Sequence, residues 1–324
     1  MASEALFSDL VGHGLAVQLL RAALDRQRLA PAYLFAGPEG VGRRLAALRF
    51  LEGVLQDGKS HAGLRRRLAE GNLADLLWLE PTYLHQGQTV PASQAEAQGV
   101  SRRTPPQIRL EQVRDVSRFL SRRPVESDRP LVVIEAAEAM AEAAANALLK
   151  TLEEPGDGLL ILISAAPERL LNTIRSRCQW IPFLPLSPPQ MEEVCSRMAV
   201  PEEEDPAEED PPELIAMAAG SPGALLAHHR QWQRLPEGLA DRMGNLSSDP
   251  LIALDVARDI SEGLDGDQQL WLLQWWQQRL WRSHGNPRQV MRLDQLRKHL
   301  LSHVQPRLAW EVTLLELSRQ PQGG

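Results

Sequence analysis

Five short apolar runs punctuate residues 1–183, each stopped by a turn residue or a polar segment. They are AYLFA at 32–36, LLWLE at 76–80, LVVI at 131–134, LLILIS at 159–164 and WIPF at 180–183. The runs are continuous rather than alternating, the pattern of strands buried on both faces of a parallel sheet. The last run is the weakest, because Pro182 withholds a ladder donor. Stretches with helical spacing lie between them. Residues 43–55 follow a glycine-rich turn, and residues 110–121 bring Val113, Val116, Phe119 and Leu120 near one face. Residues 136–154 are rich in Ala, Leu, Glu and Met, strong helix formers, and stop at Pro155-Gly156. Strand and helix in this rhythm predict an α/β domain with a doubly wound parallel sheet.

Other stretches break the rhythm. Residues 84–107 are polar and carry Gly and Pro, which reads as a long surface loop. Three prolines in FLPLSPP (183–189) mark a domain boundary. A small helical segment follows over 190–229, interrupted by an acidic stretch at 202–213 that reads as a solvated loop. From Leu235 onward no strand pattern survives. Trp271, Trp275, Trp276, Trp281 and Trp310 lie here, with Trp271 and Trp275 four residues apart beside Leu272, Leu273 and Leu280. A stripe at that spacing is the core of a helical bundle, with one face available to a partner subunit. The expected divisions are 1–183, 184–234 and 235–324.

Composition narrows the function classes. With 43% hydrophobic and 24% charged residues, the chain is an ordinary globular protein. Its net charge of −7 argues against gripping nucleic acid alone over a wide face. Eight acids fall between Glu202 and Glu213, and without them the remainder is nearly neutral. Two cysteines, Cys178 and Cys195, exclude a disulfide framework and a cysteine-rich zinc site, and suit a reducing compartment. The opening MASEALFSDL lacks the basic and apolar regions of a secretory signal, and no apolar run approaches a membrane span of about 18 residues. A cytoplasmic location is therefore expected.

The chemistry concentrates at residues 37–44, Gly-Pro-Glu-Gly-Val-Gly-Arg-Arg, between a predicted strand and a predicted helix. Gly37, Gly40 and Gly42 have the freedom to curl backbone N–H groups around phosphate oxygens at a helix N-terminus. The spacing of Gly37 and Gly42 fits the Walker A pattern, which then requires Lys and a hydroxyl residue. Arg43 and Arg44 stand there instead. A planar guanidinium does not replace a compact ammonium, and Arg44 offers no acceptor to Mg²⁺. The run 131–134 ends in Glu135-Ala136, so the metal-supporting acid is lengthened and the water-orienting acid is missing. The turn is read either as a strand-to-helix connection that keeps its glycines for backbone reasons or as a weak nucleotide site. ATP hydrolysis ranks below both.

Further segments carry a resemblance. Ala143-Ala144-Ala145-Asn146-Ala147-Leu148-Leu149-Lys150-Thr151-Leu152-Glu153-Glu154-Pro155, followed by Ser176-Arg177-Cys178, resembles bacterial clamp-loader subunits of the AAA+ class. Phe7-Ser8-Asp9-Leu10-Val11-Gly12-His13 and Glu168-Arg169-Leu170-Leu171-Asn172-Thr173-Ile174 add to it. The likeness is dense from residue 7 to 183 and weak afterwards, except at Gly220-Ser221-Pro222-Gly223. That tetrapeptide resembles the lid's second sensor motif, but Ala224 follows where an Arg is common.

The resemblance implies an AAA+ P-loop domain with a degenerate nucleotide site, a small helical lid and an all-α collar. It implies a stator in a ring with motor subunits of gamma or tau type and a delta subunit, opening a sliding clamp and closing it around primed DNA. It also implies that Arg177, flanked by Ser176 and Cys178, reaches the ATP of the neighbouring motor subunit as an arginine finger. Residues 64–76 take the place of the family's zinc module without its cysteines, so no zinc and no bound cofactor are expected. The competing possibility is a motor-type ATPase of the same family with an atypical loop. Residues 43, 44, 136 and 224 speak against it. Cys178 reads as a small buried residue rather than a reactive thiol, and His228-His229 as surface residues. The clusters Arg65-Arg66-Arg67, Arg102-Arg103 and Arg122-Arg123 are read as ordinary surface charge, with DNA phosphate contact as the alternative.

Overall fold

The computed structural model describes residues 5–56, 63–95, 97–100, 104–154, 156–198, 211–302 and 304–319. The chain divides into two compact units, residues 1–199 and 200–324.

The five apolar runs form the first unit's sheet: β1 (Ala32–Ala36), β2 (Leu76–Leu79), β5 (Leu131–Ile134), β6 (Leu159–Ser164) and β7 (Gln179–Pro182), in the order β2-β5-β6-β1-β7. Every pairing within it is parallel. Side chains alternate across the pleat. From β1, Tyr33 and Phe35 enter one core with Phe50, Leu51 and Ile181. Ala32, Leu34 and Ala36 enter the other with Val116, Val132, Ile134 and Leu148. Both faces are covered, which is why the strands read as unbroken apolar runs. β7 tolerates Pro182 because it is an edge strand, paired only with β1. Ala36 lies opposite both Ser164 and Pro182, so the C-terminal ends of the three strands meet at one rim. In open α/β sheets ligands bind at this rim, outside the carboxyl ends of the strands.

The helices of this unit are α1 (Gly14–Asp25), α2 (Arg43–Leu55), α3 (Leu64–Ala69), α4 (Leu110–Leu120), α5 (Glu142–Glu153), α6 (Asn172–Arg175) and α7 (Pro188–Met198). Two sequence expectations need correction. The helix expected over 136–154 begins at Glu142, because Ala136 turns left-handed at φ 46° and a 3₁₀ turn, Ala137–Ala139, precedes it. The loop expected over 84–107 opens as a hairpin of β3 (Thr82–His85) and β4 (Gln88–Pro91). Gln86 and Gly87 both have positive φ, 49° and 81°, the requirement of a tight two-residue hairpin turn. Val90, Ala95 and Val100 make a separate small core beneath Tyr83.

The elements of the second unit, among the described residues, are all helices: α8 (Pro212–Ala218), α9 (Pro222–Gln233), α10 (Leu239–Gly244), α11 (Pro250–Gly263), α12 (Gly266–His284), α13 (Pro287–Leu300) and α14 (Pro306–Ser318). Ser221 caps α9 by accepting from Ala224 N at 3.2 Å, with Pro222 at the first position. Asp265 and Gln268 form a reciprocal capping box at the start of α12. Of the expected stripe, Leu272, Leu273 and Trp275 are fully buried and Trp271 and Leu280 half-buried; Trp276 and Trp310 are fully buried as well. Trp310 Nε1 donates to Gln269 Oε1 at 3.0 Å, so its polar atom is satisfied inside the core. Trp281 is exposed. His228 departs from the surface expectation: it is half-buried and its Nδ1 accepts from Trp271 Nε1 at 2.9 Å. Residues 202–210 of the acidic stretch lie outside the described residues.

Candidate functional site

The glycine turn leaves β1 at the rim and enters α2 through Gly42, a left-handed cap at φ 109°. Gly37 N donates to Ser164 O at 3.2 Å, tying the turn to the end of β6. A Cβ on Gly37 would stand 2.1 Å from the carbonyl oxygen of Phe183. Gly37→Ala therefore forces backbone apart and is expected to cost about 1–3 kcal/mol, read as a melting temperature lowered by several degrees. His13 closes the turn from the other side. Its Nε2 lies 2.7 Å from Val41 O, and its ring meets Phe183 edge-on at 5.0 Å. Burial holds its pKa below the usual histidine range. Asp9 ties the N-terminal motif to α2 by accepting from Arg49 Nε at 2.8 Å.

Arg43 and Arg44 take different paths. Arg43 is 8% exposed and faces inward. Burial lowers its pKa, opposed by the charges of Glu138, Glu39 and Glu135. Arg44 faces outward and is spent on the protein itself. Its Nη1 lies 2.7 Å from Glu135 Oε1, and its guanidinium stacks 4.6 Å from the centre of the Trp78 ring. Glu135, the acid that follows β5, is thus already paired with a resident cation. Ala136 supplies no second acid.

The sequence reading missed two residues here. Ser164 Oγ and Glu138 Oε2 are buried and, like Arg43 Nη1, make no hydrogen bond among the described residues. Glu138 Oε1 accepts from Ala165 N at 3.0 Å, so its carboxylate is anchored at the end of β6. The signal for Ser164 was visible: a lone polar residue ending a fully apolar strand. Glu138 gave none. Among the described residues, no group of three or more His, Cys, Asp and Glu is arranged to hold a metal.

Ser176, Arg177 and Cys178 lie together between α6 and β7, apart in sequence from the glycine turn. Ser176 closes the short helix, its Oγ donating to Thr173 O at 3.2 Å. Cys178 packs against the second core and burial pushes its thiol up to about 12, so no thiolate is available near neutral pH. The Arg177 side chain is 37% exposed. Its Nη1 donates to Thr173 O and its Nη2 to Glu153 Oε1, each at 2.9 Å. Arg175 lies over Trp180 at 5.6 Å on the same edge.

The basic clusters divide. Arg65, Arg66 and Arg67 are paired with Glu52, Glu70 and Glu126 at 3.0, 2.6 and 2.7 Å. Arg122 and Arg123 are exposed, and Arg102-Arg103 lie outside the described residues. No helix of the described residues is long and apolar enough to cross a membrane.

Known proteins match both units. The family model described as DNA polymerase III, delta subunit, covers residues 12–187. The one described as cyanobacterial DNA polymerase III delta prime, C-terminal domain, covers 189–317. The delta prime subunit of DNA polymerase III from Pseudomonas aeruginosa is 38% identical over 217 residues, 64% of this chain and 58% of that protein. Its counterpart in Bacillus subtilis is 35% identical over 184 residues, 55% of this chain and 49% of that protein. The chain thus spans about half the length of these curated relatives. A solved gamma subunit-related protein of DNA polymerase III from Thermotoga maritima shares the fold, with a TM-score of 0.53 at 16% identity over 93% of this chain and 99% of that one. A family model described as DNA polymerase III, delta subunit, across more than half of the sequence, with the delta prime C-terminal model over most of the remainder, places this chain in the delta prime family of DNA polymerase III.

Proposed function

We propose that the chain is a stator of the clamp loader: it splits no triphosphate itself and supplies Arg177 to the ATP site of a neighbouring motor subunit during DNA replication. The observation that carries this reading is the contrast between its two arginine sites. Arg44 is engaged by Glu135 and Trp78 of its own subunit, beside the glycine turn. Arg177 precedes β7, at the end of the parallel sheet opposite the glycine turn, with its side chain 37% exposed and its partner Glu153 54% exposed. A permanently charged planar fork at an exposed edge suits an oxyanion brought by another subunit.

The partners of this reading are motor subunits of gamma or tau type, a delta subunit, the sliding clamp and primed DNA. Residues 1–183 act as the AAA+ domain, 184–234 as the lid and 235–324 as the collar. The motor-type alternative requires Arg44 to leave Glu135 and a substitute for the acid missing at Ala136. Reconstitution tests the reading. With purified motor and delta subunits, omission of this chain is expected to abolish clamp placement on primed DNA, and its return to restore placement. Undiminished placement without it would overturn the role.

A further inference from the structure

Arg177 is held back by its own subunit. Both terminal nitrogens of the guanidinium are engaged, Nη1 by the Thr173 carbonyl and Nη2 by the Glu153 carboxylate. Glu153 is the last residue of α5, where the helix end adds partial negative charge beside the cation. The pair joins positions 24 residues apart and links α5 to the segment after α6. Both side chains are exposed, 37% for Arg177 and 54% for Glu153, so water competes for the contact and it opens readily. Carboxylate and phosphate oxygens are rival acceptors for one planar fork. A triphosphate gripped by Arg177 while Glu153 stays in place would meet a like charge.

We infer that Glu153 is a positioning residue that holds Arg177 back between encounters and must yield it when a neighbouring subunit presents a triphosphate. This rests on the finger role proposed above. Glu153 acts as an intramolecular competitor and lowers turnover in the resting assembly. Clamp and DNA, by fixing the neighbour's phosphates close to Arg177, overcome the competition.

The test uses the reconstituted clamp loader, with ATP turnover measured with and without clamp and primed DNA. Glu153→Ala is expected to raise unstimulated turnover about two- to fivefold, the worth of one exposed ion pair. Stimulated turnover stays close to the wild-type value, so the stimulation ratio shrinks. Glu153→Asp keeps the charge and is expected to restore the low resting rate. The double variant with Arg177→Ala is expected to match Arg177→Ala alone. If Glu153→Ala lowers turnover, Glu153 orients the finger rather than restraining it, and the inference is overturned. An unchanged ratio overturns it as well. Failure of the finger role is distinguishable, because Arg177→Ala would then leave turnover intact. Co-purification of each variant with its partners confirms that it has folded.

Discussion

Replacing Arg177 by Ala is expected to cut ATP turnover at the neighbouring site by about 10³-fold or more while the assembly still forms. Two features separate rate from assembly. The side chain lies at an exposed edge and contributes nothing to either buried core. Its contacts in the free chain, one carbonyl and one exposed carboxylate, are weak holders whose loss leaves the fold unchanged. A cation placed against charge developing in the transition state acts on rate far more than on binding. Arg177→Lys is expected to rescue little, because an ammonium cannot present two parallel donors to one phosphate. Turnover of assemblies carrying each variant, with complex formation checked by size exclusion, decides the matter. Full turnover with Arg177→Ala would remove the assignment.

The isolated chain is expected to show no Mg²⁺-dependent ATP hydrolysis. In the proposed reading Arg44 occupies Glu135, and Ala136 stands at the position of a water-orienting acid. Arg44→Thr removes both the ion pair and the stack on Trp78, together worth about 1–2 kcal/mol. Nucleotide affinity should then rise about 5–30-fold. Hydrolysis should not appear, since Ala136 is unchanged. A fluorescent ATP analogue titrated with and without Mg²⁺ measures the first effect, and phosphate release the second. Robust turnover by the unmodified chain would show that the Arg44–Glu135 pair is no barrier.

The sequence made some of this architecture plain and hid the rest for physical reasons. Strands such as 131–134 and 159–164 were legible because burial on both faces leaves an unbroken apolar run. The β3–β4 hairpin was not, because each strand has four residues and only Val90 and Thr82 are buried among them. The helical unit announced itself through Trp275, Trp276 and Trp310, but the Trp271–His228 hydrogen bond spans 43 positions and leaves no local trace. The glycine turn and its two wrong residues could be read directly. Where those residues go could not. Arg44 meets Glu135 across 91 positions, and Arg177 meets Glu153 across 24. In the sequence Glu135 reads as a lengthened metal acid, and Glu153 only as part of the motif that ends at Pro155. Only the fold shows that each is matched to a guanidinium.

The most direct measurement is a structure of the assembled loader with a non-hydrolysable ATP analogue. Arg177 is expected to be turned away from Glu153, with its guanidinium in hydrogen-bond reach of the γ-phosphate held by the adjoining subunit, while Arg44 stays on Glu135. Arg177 left facing solvent, or a magnesium-bound nucleotide seated between residues 37 and 44 of this chain, would contradict that expectation.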